Sequence, residues 1–188
     1  MILKPDFDLL PQLALAAGIL TAAPAVFALA APAAAEKIFK KLPRSVWTGR
    51  IVSAACLAWV ALWLIVMPLG MFSVLRDAMW LLLPLSIAAV WIFIPDLLAC
   101  RAIGGFLALA PAPLLSAAQW HPSPFRYVVL VYAYALAIAG MHYIALPYLL
   151  RDHIAWAFAK PLRARVVAGA FAALGLFLAA LSLAAFRV

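Results

Sequence analysis

Long stretches without a single charged residue alternate along this chain with short segments where charge is concentrated. The first three charge-free stretches hold 27 residues between Asp8 and Glu36, 25 between Arg50 and Arg76, and 18 between Asp77 and Asp96. Three more hold 24 residues between Arg101 and Arg126, 24 between Arg126 and Arg151, and 21 between Arg165 and Arg187. Each reaches the ~18 residues that mark a membrane-spanning helix. Lipid tails offer the backbone no hydrogen-bond partners, so each stretch must close its own bonds as a helix. Runs such as Leu81-Leu82-Leu83 lack the alternation of a β-barrel strand. The pattern predicts an all-α integral membrane protein. It is expected to form a single transmembrane domain over 1–188, a bundle of about six helices at roughly 9–35, 51–72, 78–95, 102–120, 127–150 and 166–186.

The basic residues orient these spans. With six crossings, one side of the membrane holds ten Lys and Arg: Lys37, Lys40, Lys41, Arg44, Arg50, Arg101, Arg151, Lys160, Arg163 and Arg165. The other side holds four: Lys4, Arg76, Arg126 and Arg187. The positive-inside rule then places the ten in the cytoplasm and both termini, including the N-terminus, outside. Gly104-Gly105 and Pro111-Ala112-Pro113 leave one alternative, a re-entrant hairpin in the fourth stretch, which weakens the split to eight against six. The first stretch carries Ala33-Ala34-Ala35, similar to a signal-peptide cleavage site. However, Asp6 and Asp8 offset Lys4, and the basic cluster follows the apolar run rather than preceding it, so a retained helix is expected.

Composition agrees. The chain is 70% hydrophobic and 11% charged, against roughly 45–50% and about 25% for soluble domains. A water-soluble globular fold, a disordered chain and a nucleic-acid-binding module are excluded. The net charge of +8 largely restates the topology. The basic cluster within 36–50 is expected to meet anionic lipid head groups, so membrane lipids are expected partners. Cys56 and Cys100 have no C-x-x-C spacing and are expected to pack as small residues rather than form a disulfide.

Within the spans, Gly169/Ala173 and Ala168/Ala172 stand at small-xxx-small spacing on the last helix, a pattern that lets helix backbones approach closely. Pro24, Pro68 and Pro84 are expected to kink the first three spans. Trp59 and Trp63 lie one turn apart, and spacing alone does not decide between lipid, packing and a pigment or quinone wall. In the fifth span Tyr127, Tyr134, Met141 and Tyr148 recur every seven residues. Their phenols need acceptors, so this stripe is expected to face protein. His142 is the one ionisable side chain well inside a span, which marks it, with Tyr134 and Tyr143, as a ligand-binding candidate. The competing reading is a neutral imidazole bonded to a carbonyl or hydroxyl. A bis-histidine haem needs a second histidine at matching depth, whereas His121 and His153 fall outside the spans. No metal site is expected, and no cofactor is assigned. Arg76-Asp77, Arg151-Asp152 and Asp96 with Arg101 read as interfacial ion pairs.

The spans contain no paired carboxylates, and the chain has no His-Glu-x-x-His, Gly-x-Ser-x-Gly or Gly-x-x-x-x-Gly-Lys motif, so no catalytic residue is assigned. The first expectation is a non-catalytic subunit or accessory protein of a bacterial inner-membrane assembly. It would associate with itself or with another membrane subunit through span 1 or span 6. The second is a small solute transporter or the substrate-binding membrane component of one. The third is an intramembrane enzyme acting on lipid.

Overall fold

The computed structural model describes residues 9–66, 74–94 and 97–186, and every regular element among them is helical. Prolines set several helix ends. Helix α1 (Leu9–Ala30) stops ahead of Pro32, whose ring pushes Ala31 out of the helical region to φ −135° and ψ 69°. Helix α2 (Pro32–Lys41) then restarts with proline in its first turn, where an N–H would have no helical partner. A 3-10 turn (Leu42–Arg44) leads into α3 (Val46–Val66), whose Thr48 N–H donates to Ser45 Oγ at 3.2 Å. The same break recurs between α7 (Arg126–Ala145) and α8 (Pro147–Ala157), where Leu146 takes φ −125° and ψ 75° ahead of Pro147. Pro161 opens α9 (Pro161–Ala184).

The fourth stretch behaves differently. Helices α5 (Leu98–Leu109) and α6 (Pro111–Ala118) meet at Ala110, which keeps helical angles of φ −55° and ψ −32°. They therefore continue one path from Leu98 to Ala118 rather than folding back as a hairpin. Pro24 and Pro84 sit inside α1 and α4 (Val74–Phe93) without ending them. The expected Pro68 kink, the side-chain pair Arg76–Asp77 and the Asp96–Arg101 pair lie outside the described residues.

Among the described residues, five helical stretches are long and apolar enough to cross a membrane: Leu9–Ala30, Val46–Val66, Leu98–Ala118, Arg126–Ala145 and Pro161–Ala184. Helix α4 contributes a shorter apolar segment, Ala78–Phe93. The protein is a multi-pass, all-helical membrane protein.

Lipid supplies no hydrophobic drive between helices, so close backbone approach and van der Waals contact must hold them. Two glycine crossings provide it. In the antiparallel pair α1/α9, a Cβ on Gly18 would stand 2.7 Å from the Gly175 carbonyl oxygen, and one on Gly175 would stand 2.5 Å from the Ala22 nitrogen. In the antiparallel pair α5/α7, a Cβ on Gly104 would lie 2.9 Å from the Ile144 nitrogen, and one on Gly140 would collide with the Ala108 backbone. Helix α3 runs parallel to α5: Gly49 abuts the Ala99 backbone, Cys56 Sγ approaches the Ala102 carbonyl at 3.8 Å, and Trp59 meets Phe106. Helix α4 returns along α3, where Trp91 Nε1 donates to Ser53 Oγ at 3.3 Å.

These contacts choose which face of each helix turns inward. On α9, Ala168 and Ala172 are buried with Gly175, whereas Ala173 is exposed and Gly169 has open space where a Cβ would be. On α7 the inward face carries Val129, Ala133 and Gly140. The stripe of Tyr127, Tyr134, Met141 and Tyr148 therefore turns outward, contrary to the expectation that it faces protein within the chain. A glycine crossing admits no bulky neighbour, so the large side chains take the far side.

The two α9 glycines should respond differently. Gly175→Leu is expected to cost about 1–3 kcal/mol through overpacking and to lower the thermal unfolding midpoint in detergent micelles. Gly169→Leu, which meets open space within the chain, is expected to leave the α1/α9 pairing intact and to lower that midpoint less. Equal effects would place the α1/α9 contact elsewhere.

Candidate functional site

The helices form two groups, α1 with α9 on one side and α3, α4, α5/α6 and α7 on the other. Among the described residues they are joined firmly at one end. There Leu10, Ala14 and Ala17 of α1 and Leu178, Leu181 and Phe186 at the far end of the chain pack on Leu114, Ala117 and Ala118 of α6 and Val129 and Ala133 of α7. Within the α1/α9 pair, Ser182 Oγ adds a 2.6 Å bond to the Pro11 carbonyl. His121 seals this end. It is 1% exposed, stands edge-on to Phe186 with ring centroids 5.3 Å apart, and its Nδ1 accepts the Ser123 N–H at 3.2 Å. Arg126 Nη1 donates to the His121 and Gln119 carbonyls at 2.9 and 3.3 Å, satisfying acceptors just beyond the end of α6. Burial, reinforced by the nearby Arg126 charge, holds the His121 imidazole below its ordinary pKa.

Away from this sealed end the groups diverge around a cleft of about 760 Å³, within the roughly 300–1,000 Å³ typical of ligand cavities. Its walls come from α1, α3, α5/α6, α7 and α9, and its other end reaches α2 and α8. Ala and Gly on α1 and α9 make the pair slender, while Leu20, Trp59, Phe106 and Phe171 furnish the apolar lining. At the α2/α8 end, Phe39 stacks on Phe158 with ring centroids 5.9 Å apart.

Two hydrogen-bonded pairs interrupt the apolar lining. Thr21 donates its hydroxyl proton to the Ala17 carbonyl at 2.7 Å, so the Tyr132 hydroxyl is the donor in the 2.6 Å bond that ties α7 to Thr21. Nearer α8, the Tyr143 hydroxyl and His153 Nδ1 are 3.1 Å apart. Both pairs spend polar capacity on each other, which suits an apolar cavity.

Of the ligand-binding candidates, only Tyr143 lines the cleft. His142 faces outward and bonds to its own helix, its Nδ1 donating to the Ile138 carbonyl at 2.8 Å. Tyr134 also faces outward, beside a smaller hollow of about 250 Å³ shared with Gln119, Arg126 and Tyr127. The structure therefore brings Tyr143 together with His153 rather than with His142 or Tyr134. Trp59 lines the cleft and Trp63 does not. Among the described residues, no three His, Cys, Asp or Glu side chains converge as metal ligands.

Sequence reasoning did not anticipate the Thr21–Tyr132 bond or His153. The available signal was the pair of X-Pro breaks, Ala31-Pro32 and Leu146-Pro147, which turn the chain at the same end of the bundle and place α2 and α8 under the cleft.

The basic side chains concentrate at this same end. Helix α2 and the turn after it carry Lys37, Lys40, Lys41 and Arg44, and the segment from α8 into α9 carries Arg151, Lys160, Arg163 and Arg165. Two of the eight are paired, Lys40 with Glu36 at 2.6 Å and Arg151 with Asp152 at 3.0 Å. The Arg163 guanidinium lies 5.2 Å from the ring centroid of Trp156, a cleft-lining residue.

No family model matches the chain, and no curated protein or solved structure shows significant similarity to it.

The depressed His121 pKa gives the sealed end a pH dependence of defined sign. Above the ordinary value of about 6.5 the imidazole is neutral both folded and unfolded, and stability is at its full value. As the pH falls below that value the unfolded chain takes up the proton first, so stability drops until the folded-state pKa is passed. Unfolding midpoints measured from pH 7.5 to 5 should therefore decline in the wild type, with a shallower slope in His121→Asn.

Proposed function

We propose that this chain is a non-catalytic integral membrane subunit or accessory protein of a bacterial inner-membrane assembly, crossing the membrane six times with both termini outside. The observation that carries the association is the division of the small residues on α9. Ala168, Ala172 and Gly175 are used internally against α1, while Gly169 and Ala173 remain on the outer face. An outer small-residue face lets a second helix approach closely, whether from another copy or from another membrane subunit. The outward Tyr/Met stripe on α7 is a further surface on which a partner's polar groups would find phenol hydroxyls.

The topology rests on the ten-to-four division of Lys and Arg. The alternating directions of α1, α3, α4, α5/α6, α7 and α9 support it, since they put Phe39, Phe158 and Lys160 at one end and His121 at the other. A second reading, the substrate-binding membrane component of a transport system, is favoured by the cleft and its apolar lining.

Two experiments test this proposal. Crosslinking in native membranes and mass measurement in mild detergent are expected to show a stable complex that Gly169→Leu or Ala173→Leu dissociates while the chain stays folded. A strictly monomeric wild type that moves a solute in proteoliposomes would favour the second reading instead. For the topology, single cysteines at Ser123 and Arg163, in a background free of other cysteines, should react with an impermeant thiol reagent from opposite sides of the membrane. Reaction from the same side would remove the six-span arrangement.

A further inference from the structure

We propose that the cleft holds one anionic membrane lipid, its hydrocarbon chain between the α1/α9 pair and α7, its phosphate at a basic rim formed by Lys160 and Arg163. The inference does not depend on whether the chain joins an assembly. It starts from the shape of the cavity. At one end the cleft is closed by the cluster of Leu10, Leu114, Val129, Leu178 and Phe186, with His121 over it. A partner's transmembrane helix must cross the full hydrocarbon thickness of about 30 Å and would meet that closure. A lipid chain enters from one leaflet and ends within it, so a cleft closed at one end and lined by α2 and α8 at the other suits a lipid.

The lining decides what part of the guest lies inside. Its hydroxyl pairs, Thr21 with Tyr132 and Tyr143 with His153, are already bonded to each other. A polar solute buried there would lose hydration without gaining equivalent partners, whereas a hydrocarbon chain loses nothing.

Charge decides what stands at the open end. Lys160 and Arg163 lie in the chain between Phe158 and Ala164, both of which line the cleft, and Arg163 stands over Trp156 in its wall. Among the described residues the ion pairs at this end are Lys40–Glu36 and Arg151–Asp152, and neither Lys160 nor Arg163 belongs to one. An arginine fork and an ammonium group three residues apart in the chain are suited to a lipid phosphate. Two such charges are expected to favour an anionic over a zwitterionic head group by about thirtyfold.

The test is native mass spectrometry of the full chain released from micelles, supplemented with phosphatidylglycerol or with phosphatidylcholine of the same acyl chains. One phosphatidylglycerol retained per chain, with an apparent Kd about thirtyfold below that for phosphatidylcholine, is the expected result. Ala28→Trp, which fills the cleft from α1, should abolish retention of both lipids. Leu136→Trp does so from the opposite wall and replaces the first variant if that fails to fold. Lys160→Gln combined with Arg163→Gln should keep lipid binding and lose the preference for phosphatidylglycerol, and this variant decides the head-group contact by itself. Inorganic phosphate at millimolar concentration should not displace the lipid. Equal retention of the two lipids by the wild type, undiminished retention in a folded tryptophan variant, displacement by inorganic phosphate, or a copurifying polypeptide that blocks lipid retention would each overturn the proposal.

Discussion

Backbone contact at two glycine crossings is the constraint on which the rest of this structure depends. In a bilayer the apolar faces of the helices gain nothing by leaving lipid, so their association rests on how closely they approach. Gly18 against Gly175 and Gly104 against Gly140 bring two antiparallel pairs into direct backbone contact. Each crossing fixes the rotation of its helices, and the rotation decides everything carried on the other faces. The bulky residues of α7 are turned away from Gly140, and the outer small residues of α9 are turned away from Gly175.

Two tightly paired units must still be joined, and here the chain uses larger side chains at one end only. Leucines and Phe186 pack on the α6 and α7 surface, and the loop above them is fastened by polar contacts: Arg126 to two carbonyls and Ser123 to the His121 ring. Toward α2 and α8 no comparable cluster bridges the units among the described residues, and Thr21–Tyr132 is a polar tie between α1 and α7. Such a bond is worth about 1 kcal/mol net in water, and in a cavity with few competing partners it also fixes the spacing of the two walls. The cleft is thus a product of unequal fastening: firm at the sealed end, slight beyond it.

The placement of charge follows from the same arrangement. Both X-Pro breaks fall where the chain leaves the apolar region, and each starts a short helix that carries or leads into basic residues. The aromatic contact between Phe39 and Phe158 then draws the α2 and α8 regions together beneath the cleft. An apolar cavity and a positively charged rim are brought into one place by elements nearly 120 residues apart in sequence.

Much of this architecture was legible in the sequence, because a membrane makes hydropathy nearly decisive. Charge-free runs of 18 or more residues have one stable conformation in lipid, and the helical class and the positions of the long apolar helices follow from that alone. Proline marked the helix ends for a similarly local reason, since a missing N–H and a restricted preceding residue act without reference to the rest of the fold. What the sequence did not decide was which face of each helix turns inward. The hydrophobic character of α1, α7 and α9 is nearly uniform around the axis, so no apolar stripe marks a core side. His142 and the Tyr134 stripe were as eligible for the interior as Tyr143. Only the tertiary contact of Gly104 with Gly140 separated them, directing Tyr143 toward His153 in the cleft and the others outward. The cleft itself is likewise a tertiary property, because its walls combine α1, near the start of the chain, with α5 to α9, far along it.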